Sequence, residues 1–255
     1  MKKIRLTLAY DGTHYHGWQV QPDMITIQGR IESALKTITA QEVTLVGAGR
    51  TDAGVHALHQ VAAFSTDTHL EPNTIKRALN ATLPVDIRII SADYVSEDFN
   101  PRFSAKAKRY AYVISLGDLI NPFFYRYTWH LKQPLDVVQI KAASAMLIGR
   151  VDFKSFCATD TDVKTTVREV FDLRVQRLTS LEFIGFSISG NFIKVSIEAD
   201  GFLRHMVRNI VGTLVDVGKG RISSQEMVGI VAAKDRRRAG QNAPAKGLFL
   251  EQIYY

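Results

Sequence analysis

The chain has 255 residues, of which 46% are hydrophobic and 22% are charged. These proportions are typical of a globular protein with one large domain or two ordinary ones. No apolar run is long enough to span a bilayer, and the N-terminal stretch is too short and too polar for a signal peptide. We therefore expect a cytoplasmic protein. Cys157 is the single cysteine, which excludes a disulfide framework and a cysteine-rich metal site. The formal net charge of +7 favours a polyanionic partner, with nucleic acid as the leading candidate.

The first part of the chain predicts the element order β-α-β-β-α-β. Strand alternation and helical periodicity place these elements at residues 4–10, 27–38, 43–49, 60–66, 72–80 and 87–95. Thr26 is the expected N-cap of the first helix. After residue 105 the same order is predicted again, with one extra hairpin and one extra helix.

The second set has strands at residues 109–116, 171–178, 183–199 and 248–254, and helices at 137–147, 202–217 and from 223 onward. The run Ser189-Gly190-Asn191 predicts a hairpin, and Ser223 with Glu226 forms a capping-box pattern. We therefore predict an α+β fold with two tandem ferredoxin-like units, residues 1–105 and 106–255, whose sheets flank a central cleft.

The stretch GAGRTDAGVHA at residues 47–57 follows an apolar run and frames Arg50 and Asp52 with glycines. Its simpler interpretation is a tight turn in which Asp52 caps the main chain and Arg50 faces solvent. The alternative is a loop shaped to fit against a ligand, since glycine permits close backbone approach. The glycine spacing matches neither a dinucleotide fingerprint nor a P-loop, which argues against nucleotide-dependent phosphoryl transfer.

The histidines are the remaining candidates for a metal site. His14 and His16 are close in sequence but lack a helical spacing and cysteine partners, and only the fold could bring His56, His59 and His205 together. We predict that the protein holds no metal.

Basic and aromatic residues alternate at Arg102-Phe103, in KAKRYAY at residues 106–112 and in FFYRY at residues 123–127. Cationic side chains can bind phosphates and aromatic rings can stack on unpaired bases, although alternating tyrosines also build the core face of a strand. On the helix predicted at 202–217, Arg208 and Arg204 share a face away from the apolar stripe. A buried guanidinium needs a carboxylate, and Asp52 is one candidate for that partner.

Six motifs in order resemble the tRNA pseudouridine synthase A family over nearly the whole chain. They are YDGTHYHGWQ (10–19), GAGRTDAGVHA (47–57), ALNATLP (78–84), RFSAKAKRYAYVI (102–114), FLRHMVRNIVG (202–212) and APAKGLFL (243–250). The chain departs from the family pattern at His59, where VHALHQV replaces VHAxGQV, and at Asn100 and Pro101, where FNPRF replaces FHARF. These departures lie beside the matched site residues.

The resemblance implies isomerisation of uridine to pseudouridine at positions 38, 39 and 40 in the anticodon arm of tRNA. It implies that Asp52 is the catalytic aspartate, that Arg208 is its ion-pair partner, and that Tyr110 stacks on the target base. Arg50 would hold the flipped-out nucleotide. The resemblance further implies a homodimer that requires no cofactor. A non-catalytic RNA-binding protein with tandem recognition modules is the alternative, but we find no RNP pattern. A metal-dependent nuclease would need carboxylate clusters that the sequence lacks.

Overall fold

The computed structural model describes residues 1–159, 163–183 and 185–255. The described residues contain helices and a mixed arrangement of parallel and antiparallel strands, which confirms the α+β class. The strands are β1 (Lys2–Tyr10), β2 (Val46–Gly47), β3 (His56–Thr66), β4 (Ile87–Val95), β5 (Ala107–Leu116), β6 (Trp129–Leu131), β7 (Gly149–Asp152), β8 (Val167–Phe183), β9 (Phe186–Ala199) and β10 (Leu248–Tyr254). The helices are α1 (Ile27–Thr39), α2 (Pro72–Thr82), α3 (Val137–Ala145), α4 (Met206–Gly218) and α5 (Glu226–Ala233).

The chain forms two compact units, one of residues 1–108 with 249–255 and one of residues 109–248. Residues 249–255 thus group with the first unit, because β10 pairs in parallel with β3, placing Phe249 opposite His56. The predicted division at residue 105 stays a prediction.

The first unit has the predicted order β-α-β-β-α-β before the final strand joins it. β1 pairs antiparallel with both β3 and β4, so that Ile4 lies opposite Phe64 on one side and Tyr94 on the other. From Ile4 onward, every second residue of β1 is buried, as its apolar alternation predicts. β2 pairs with β3 over only two residues, which is shorter than the strand predicted at 43–49.

Helix α1 begins where the sequence predicts. The hydroxyl of Thr26 accepts a hydrogen bond from the main-chain N–H of Gly29 at 3.3 Å, which satisfies one of the free donors of the first turn. Ile27, Ile31 and Leu35 are fully buried on the inner face. The helix ends at Ala40 in the left-handed region.

In the second unit, β9 pairs with β5 and β8, and β8 pairs with β7. The hairpin predicted at residues 189–191 is wrong, because these residues lie inside β9. Leu178 lies opposite Phe192 and Ser180 opposite Ser189, so β9 carries one extra residue at this point. Glycine here serves a β-bulge, the other structure that a glycine inside a strand pattern indicates.

Helix α4 is shorter than predicted, since it begins at Met206 rather than at residue 202. His205 has a left-handed backbone (φ 63°), which a continuous helix does not contain. The predicted pairing of Arg204 and Arg208 on one helical face is therefore wrong, because Arg204 precedes the helix. Helix α5 begins at Glu226 and not at Ser223, and no side chain of the described residues caps its first turn. Of the predicted capping box, one contact is present: the Glu226 carboxylate accepts from the N–H of Ser223 at 2.7 Å.

Candidate active site

Asp52 and Arg50 lie in the loop of residues 48–55, which connects β2 to β3 in the first unit. The loop is fixed at its start by the N–H of Ala48, which donates to Val61 at 2.8 Å, and closes in a turn where Val55 N–H donates to Asp52 at 3.1 Å. Gly54 has a positive φ of 76°, a conformation that favours glycine. Asp52 is half-buried and Arg50 is exposed.

The segment of residues 10–18 packs along this loop and bonds to it on both sides of Asp52. The N–H of Trp18 donates to the carbonyl of Thr51 at 3.0 Å, and the N–H of Gly54 donates to the carbonyl of Tyr15 at 3.3 Å. The hydroxyls of Tyr10 and Thr51 are also hydrogen-bonded at 2.8 Å. Two widely separated sequence motifs therefore form one structure, a relation that the sequence does not reveal.

Two glycines of this segment explain how the backbones can approach so closely. A Cβ at Gly12 would lie 2.0 Å from the carbonyl oxygen of Val55, and one at Gly17 would lie 2.5 Å from that of Thr51. Gly17 also has a positive φ of 89°. Only glycine fits at these two positions without displacing the loop that carries Asp52.

The tyrosines of the segment remain protonated at neutral pH. Burial raises the pKa of Tyr10 to about 12, although the hydrogen bond with Thr51 acts in the opposite direction. Burial also raises the pKa of Tyr15, and so does the Asp86 carboxylate, which accepts a hydrogen bond from the Tyr15 hydroxyl at 2.6 Å. Both side chains therefore support the loop as neutral hydrogen-bonding groups.

His56 begins β3 and is buried against the same segment. Its Nδ1 lies 3.0 Å from the Asp11 carboxylate and 3.1 Å from the N–H of Gly12, and its ring stacks on Phe249 with centroids 4.8 Å apart. These contacts give His56 a packing role. Within the described residues, no group of three or more His, Cys, Asp and Glu side chains is arranged to hold a metal ion.

Lys108, in the basic and aromatic run of residues 106–112, contacts the same loop. Its Nζ donates to the carbonyl of Ala48 at 2.6 Å. Burial, with a smaller effect of the Arg102 positive charge, lowers the pKa of Lys108 to about 8. A lysine in a basic, alternating strand pattern gives no sequence signal for such a contact.

Tyr110 lies on β5 in the second unit. The residue is 7% exposed, and its ring packs edge-on against Phe202, with centroids 4.9 Å apart. Two residues along, Tyr112 is fully buried and donates to the carbonyl of Pro244 at 2.7 Å. Alternating tyrosines therefore do form the core face of this strand, the simpler of the two interpretations of the pattern.

Arg208 lies in the first turns of α4, also in the second unit. Its Nε donates to the carbonyl of Ala243 at 2.7 Å, while the N–H of Ala243 donates to the Arg208 carbonyl at 3.1 Å. These two bonds fix both the backbone and the side chain of Arg208 against one residue. The guanidinium is close enough to Tyr112 for its charge to act against the rise in the Tyr112 pKa that burial causes.

Comparison with known proteins gives a family match over most of the chain. A family model described as tRNA pseudouridine synthase matches residues 7–104 and 143–255. The matched ranges include Arg50, Asp52 and Arg208, whereas Tyr110 lies between them.

Curated relatives are similar over the full length. The tRNA pseudouridine synthase A proteins of Thermoanaerobacter sp. and Thermodesulfovibrio yellowstonii are 42% and 43% identical, and that of Moorella thermoacetica is 45% identical, each with 100% of both chains covered. Among solved structures, an archaeal box H/ACA sRNP Nop10-Cbf5 complex matches with a TM-score of 0.33 and 13% identity, covering 84% of this chain and 43% of that one. A similarity that low carries no argument about the fold.

Proposed function

The chain belongs to the tRNA pseudouridine synthase family and is an isomerase, and we propose that it converts uridine to pseudouridine at positions 38, 39 and 40 in the anticodon arm of tRNA. The observation that carries this proposal is the full-length similarity to curated tRNA pseudouridine synthase A proteins. The net charge of +7 agrees with a polyanionic substrate.

The proposed reaction rearranges one glycosidic bond. The bond from N1 of uracil to C1′ of the ribose breaks, the base turns, and a bond from C5 to C1′ forms. The proton on C5 is then lost and N1 gains one, so the reaction is redox-neutral and consumes no energy donor. The target base must leave the helical stack, since its reacting atoms are inaccessible inside a stem.

We assign the central role to Asp52, as nucleophile at C1′ or C6 or as the base that removes a ribose proton. Each of these roles requires an ionised carboxylate at a fixed position. The bonds from Trp18 to Thr51 and from Gly54 to Tyr15, one on each side of Asp52, support this assignment because they hold its backbone in place.

The other assignments follow from the resemblance. Arg208 pairs with Asp52 and keeps it ionised, Tyr110 stacks on the target base and assists deprotonation at C5, and Arg50 holds the flipped nucleotide. The two bonds between Arg208 and Ala243 favour a positioning role, since they leave the guanidinium little freedom. The exposure of Arg50 suits a residue that contacts RNA.

We also propose three larger-scale features: the two tandem ferredoxin-like units and the cytoplasmic location that the sequence predicts, and the homodimer that the resemblance implies. The β-α-β-β-α-β order of the first unit, with β1 between β3 and β4, supports the ferredoxin-like assignment for that unit. Among the described residues, no helix is both long and apolar enough to cross a membrane. A solution mass by light scattering equal to that of one 28.5 kDa chain would contradict the homodimer.

The experiment is conversion of an unmodified tRNA by the purified protein, without added metal or nucleotide. Pseudouridine is mapped by base-specific chemical adducts. We expect it at the three anticodon-arm positions alone. Binding without any pseudouridine would instead identify a non-catalytic RNA-binding protein, and pseudouridine elsewhere in the tRNA would overturn the assigned positions.

A further inference from the structure

The basic and aromatic run FFYRY lies in a turn at residues 121–128, between β5 and β6 of the second unit. The turn is bonded internally: the side-chain oxygen of Asn121 accepts from the N–H of Phe123 at 2.9 Å, and its carbonyl accepts from the N–H of Phe124 at 3.0 Å. Phe124 is buried, and its ring packs edge-on against Phe192 with centroids 5.6 Å apart. The buried ring anchors the turn, so packing fixes the position of the exposed residues beside it.

Tyr125 lies in this turn in direct contact with two cationic side chains. The residue is 46% exposed. The Nε of Arg126 donates to the Tyr125 hydroxyl at 2.6 Å, and the carbon of the guanidinium lies 5.4 Å from the ring centre. The Nζ of Lys246 donates to the main-chain carbonyl of Tyr125 at 2.9 Å. An exposed aromatic ring and two positive charges therefore occupy one small surface.

The surroundings of Tyr125 favour a polyanion. Residues 119–135 contain Arg126 and Lys132 but no Asp or Glu. In the part of the chain that the structure describes, none of the ion pairs involves Lys246. Its ammonium has three donors, of which the Tyr125 carbonyl takes one, so donors remain for a phosphate oxygen.

Single-stranded nucleic acid matches this combination of groups. An exposed aromatic ring can stack on an unpaired base, and a cation beside it can bind the phosphate of the backbone. The bond from Arg126 already restrains the Tyr125 ring, so stacking requires little further ordering. An apolar protein partner would instead leave the positive charges without compensation.

We propose that Tyr125 stacks on an unpaired base of the tRNA substrate while Lys246 binds the phosphate next to that base. This inference rests on the proposed function for the identity of the RNA, and it adds two binding residues to those assigned above. Because every base has a π face, this surface contributes affinity for the RNA and does not select uridine.

The test is the binding of an unmodified tRNA at several salt concentrations, measured in the Asp52→Asn background so that the RNA is not converted. The variants at the aromatic position are Tyr125→Ala, Tyr125→Phe and Tyr125→Leu, and the variant at the cation is Lys246→Gln. Thermal unfolding of each variant checks that the fold is kept.

Tyr94→Ala is the matched control for the aromatic position. Tyr94 lies on β4 and is 43% exposed, and the Nζ of Lys2 lies 5.2 Å from its ring centre. Unlike Tyr125, it has three carboxylates within four residues in the sequence, at positions 93, 97 and 98. Lys36→Gln is the control for the cation, because Lys36 is already paired with Glu42.

We expect Tyr125→Ala to weaken binding by about 5- to 150-fold at every salt concentration, the usual loss for one stacked base, with no change in the slope of log affinity against log salt. Tyr125→Phe keeps the ring and most of the affinity. Tyr125→Leu has no π face and loses binding as alanine does. Lys246→Gln instead makes the plot less steep by about 0.7–0.9, the value for one phosphate. Both control variants leave affinity and slope unchanged.

Full binding by Tyr125→Ala or by Tyr125→Leu would overturn the stacking contact, and an unchanged slope in Lys246→Gln would overturn the phosphate contact. Light scattering adds a further check on Tyr125→Ala. A lower solution mass than that of the parent would show that a second copy of the chain covers this surface, and would overturn the assignment to RNA. Conversion by the wild-type chain is assayed in parallel. Absence of pseudouridine there contradicts the proposed function, whereas the binding comparison alone decides the Tyr125 site.

Discussion

The residues on both sides of Asp52, Thr51 and Gly54, are bonded through their main chains to a segment more than thirty residues earlier in the chain, at Tyr15 and Trp18. This arrangement holds a carboxylate of an ordinary glycine turn in a fixed position. A local turn fixes the backbone only through its own residues, whereas the loop of residues 48–55 is bonded on both sides of Asp52 and has little freedom to move. A fixed carboxylate loses less entropy on reaching the transition state.

Substitution of Tyr110 can separate the packing contribution of its ring from the proposed catalytic contribution of its hydroxyl. Tyr110→Phe keeps the edge-on contact with Phe202, so we expect stability to change by less than about 1.5 kcal/mol. If the hydroxyl assists deprotonation at C5, kcat falls by about 10²-fold or more, the usual contribution of a positioned acid–base group. RNA affinity stays within about threefold, because phosphate contacts dominate it.

For Tyr110→Phe, single-turnover conversion measures the rate, RNA binding measures the affinity, and denaturant unfolding measures the stability. Tyr110→Ala is the companion variant, and it loses stability as well, by about 3–5 kcal/mol, because it removes a buried aromatic ring. A Tyr110→Phe protein that converts uridine at the full rate would contradict a role for the hydroxyl.

At the residue scale, the sequence indicates candidate site residues better than it indicates the contacts that hold them in place. Asp52, Arg208 and Lys108 all stand in recognisable motifs, but the contact of Lys108 with Ala48 depends on how distant backbones pack. For Arg204, by contrast, the sequence pattern predicts an arrangement that the structure does not have. Its spacing from Arg208 suits one helical face, yet the left-handed backbone of His205 separates the two residues.

At the element scale, the predictions succeed where local pattern and tertiary packing agree. β1 and α1 match closely because alternation, periodicity and the Thr26 cap specify the same boundaries. The start of α4 does not match, because Phe202 continues the apolar spacing but packs against Tyr110 instead of extending the helix. At residues 189–191, a bulge and a hairpin share one sequence signal, and only the pairing with β8 distinguishes them.

The contact between the segment of residues 10–18 and the loop of residues 48–55 is testable through Gly12. Gly12→Ala places a Cβ where the Val55 carbonyl oxygen lies, 2.0 Å away, so the loop must shift. We expect the free energy of unfolding to fall by about 1–3 kcal/mol, as for other overpacked sites. Conversion should fall as well, because the displaced backbone carries Asp52.

Gly229→Ala is the control for Gly12→Ala. Gly229 lies inside α5 with open space where a Cβ would stand, so alanine there should stabilise the protein by about 0.5–1 kcal/mol. Urea unfolding measures both variants. If Gly12→Ala were as stable and as active as the wild type, the close approach would not be needed to hold the loop.

At the scale of the whole molecule, the chain comprises two compact units that between them carry the assigned residues. Asp52, Arg50 and Lys108 belong to the first unit, and Tyr110 and Arg208 to the second. The sequence indicates the α+β class and the element order of the first unit, but not that the last residues of the chain complete its sheet. That pairing joins residues almost two hundred positions apart, and no local pattern encodes it.

The central claim is that Asp52 of this tRNA pseudouridine synthase carries the isomerisation. Asp52→Asn tests it in the conversion assay, with Asp23→Asn as the matched control, because Asp23 is exposed and its left-handed backbone (φ 58°) accepts asparagine. We predict that Asp52→Asn lowers pseudouridine formation by at least about 10²-fold. The variant should keep its RNA affinity, and Asp23→Asn should convert at the wild-type rate. Full conversion by Asp52→Asn would contradict the account.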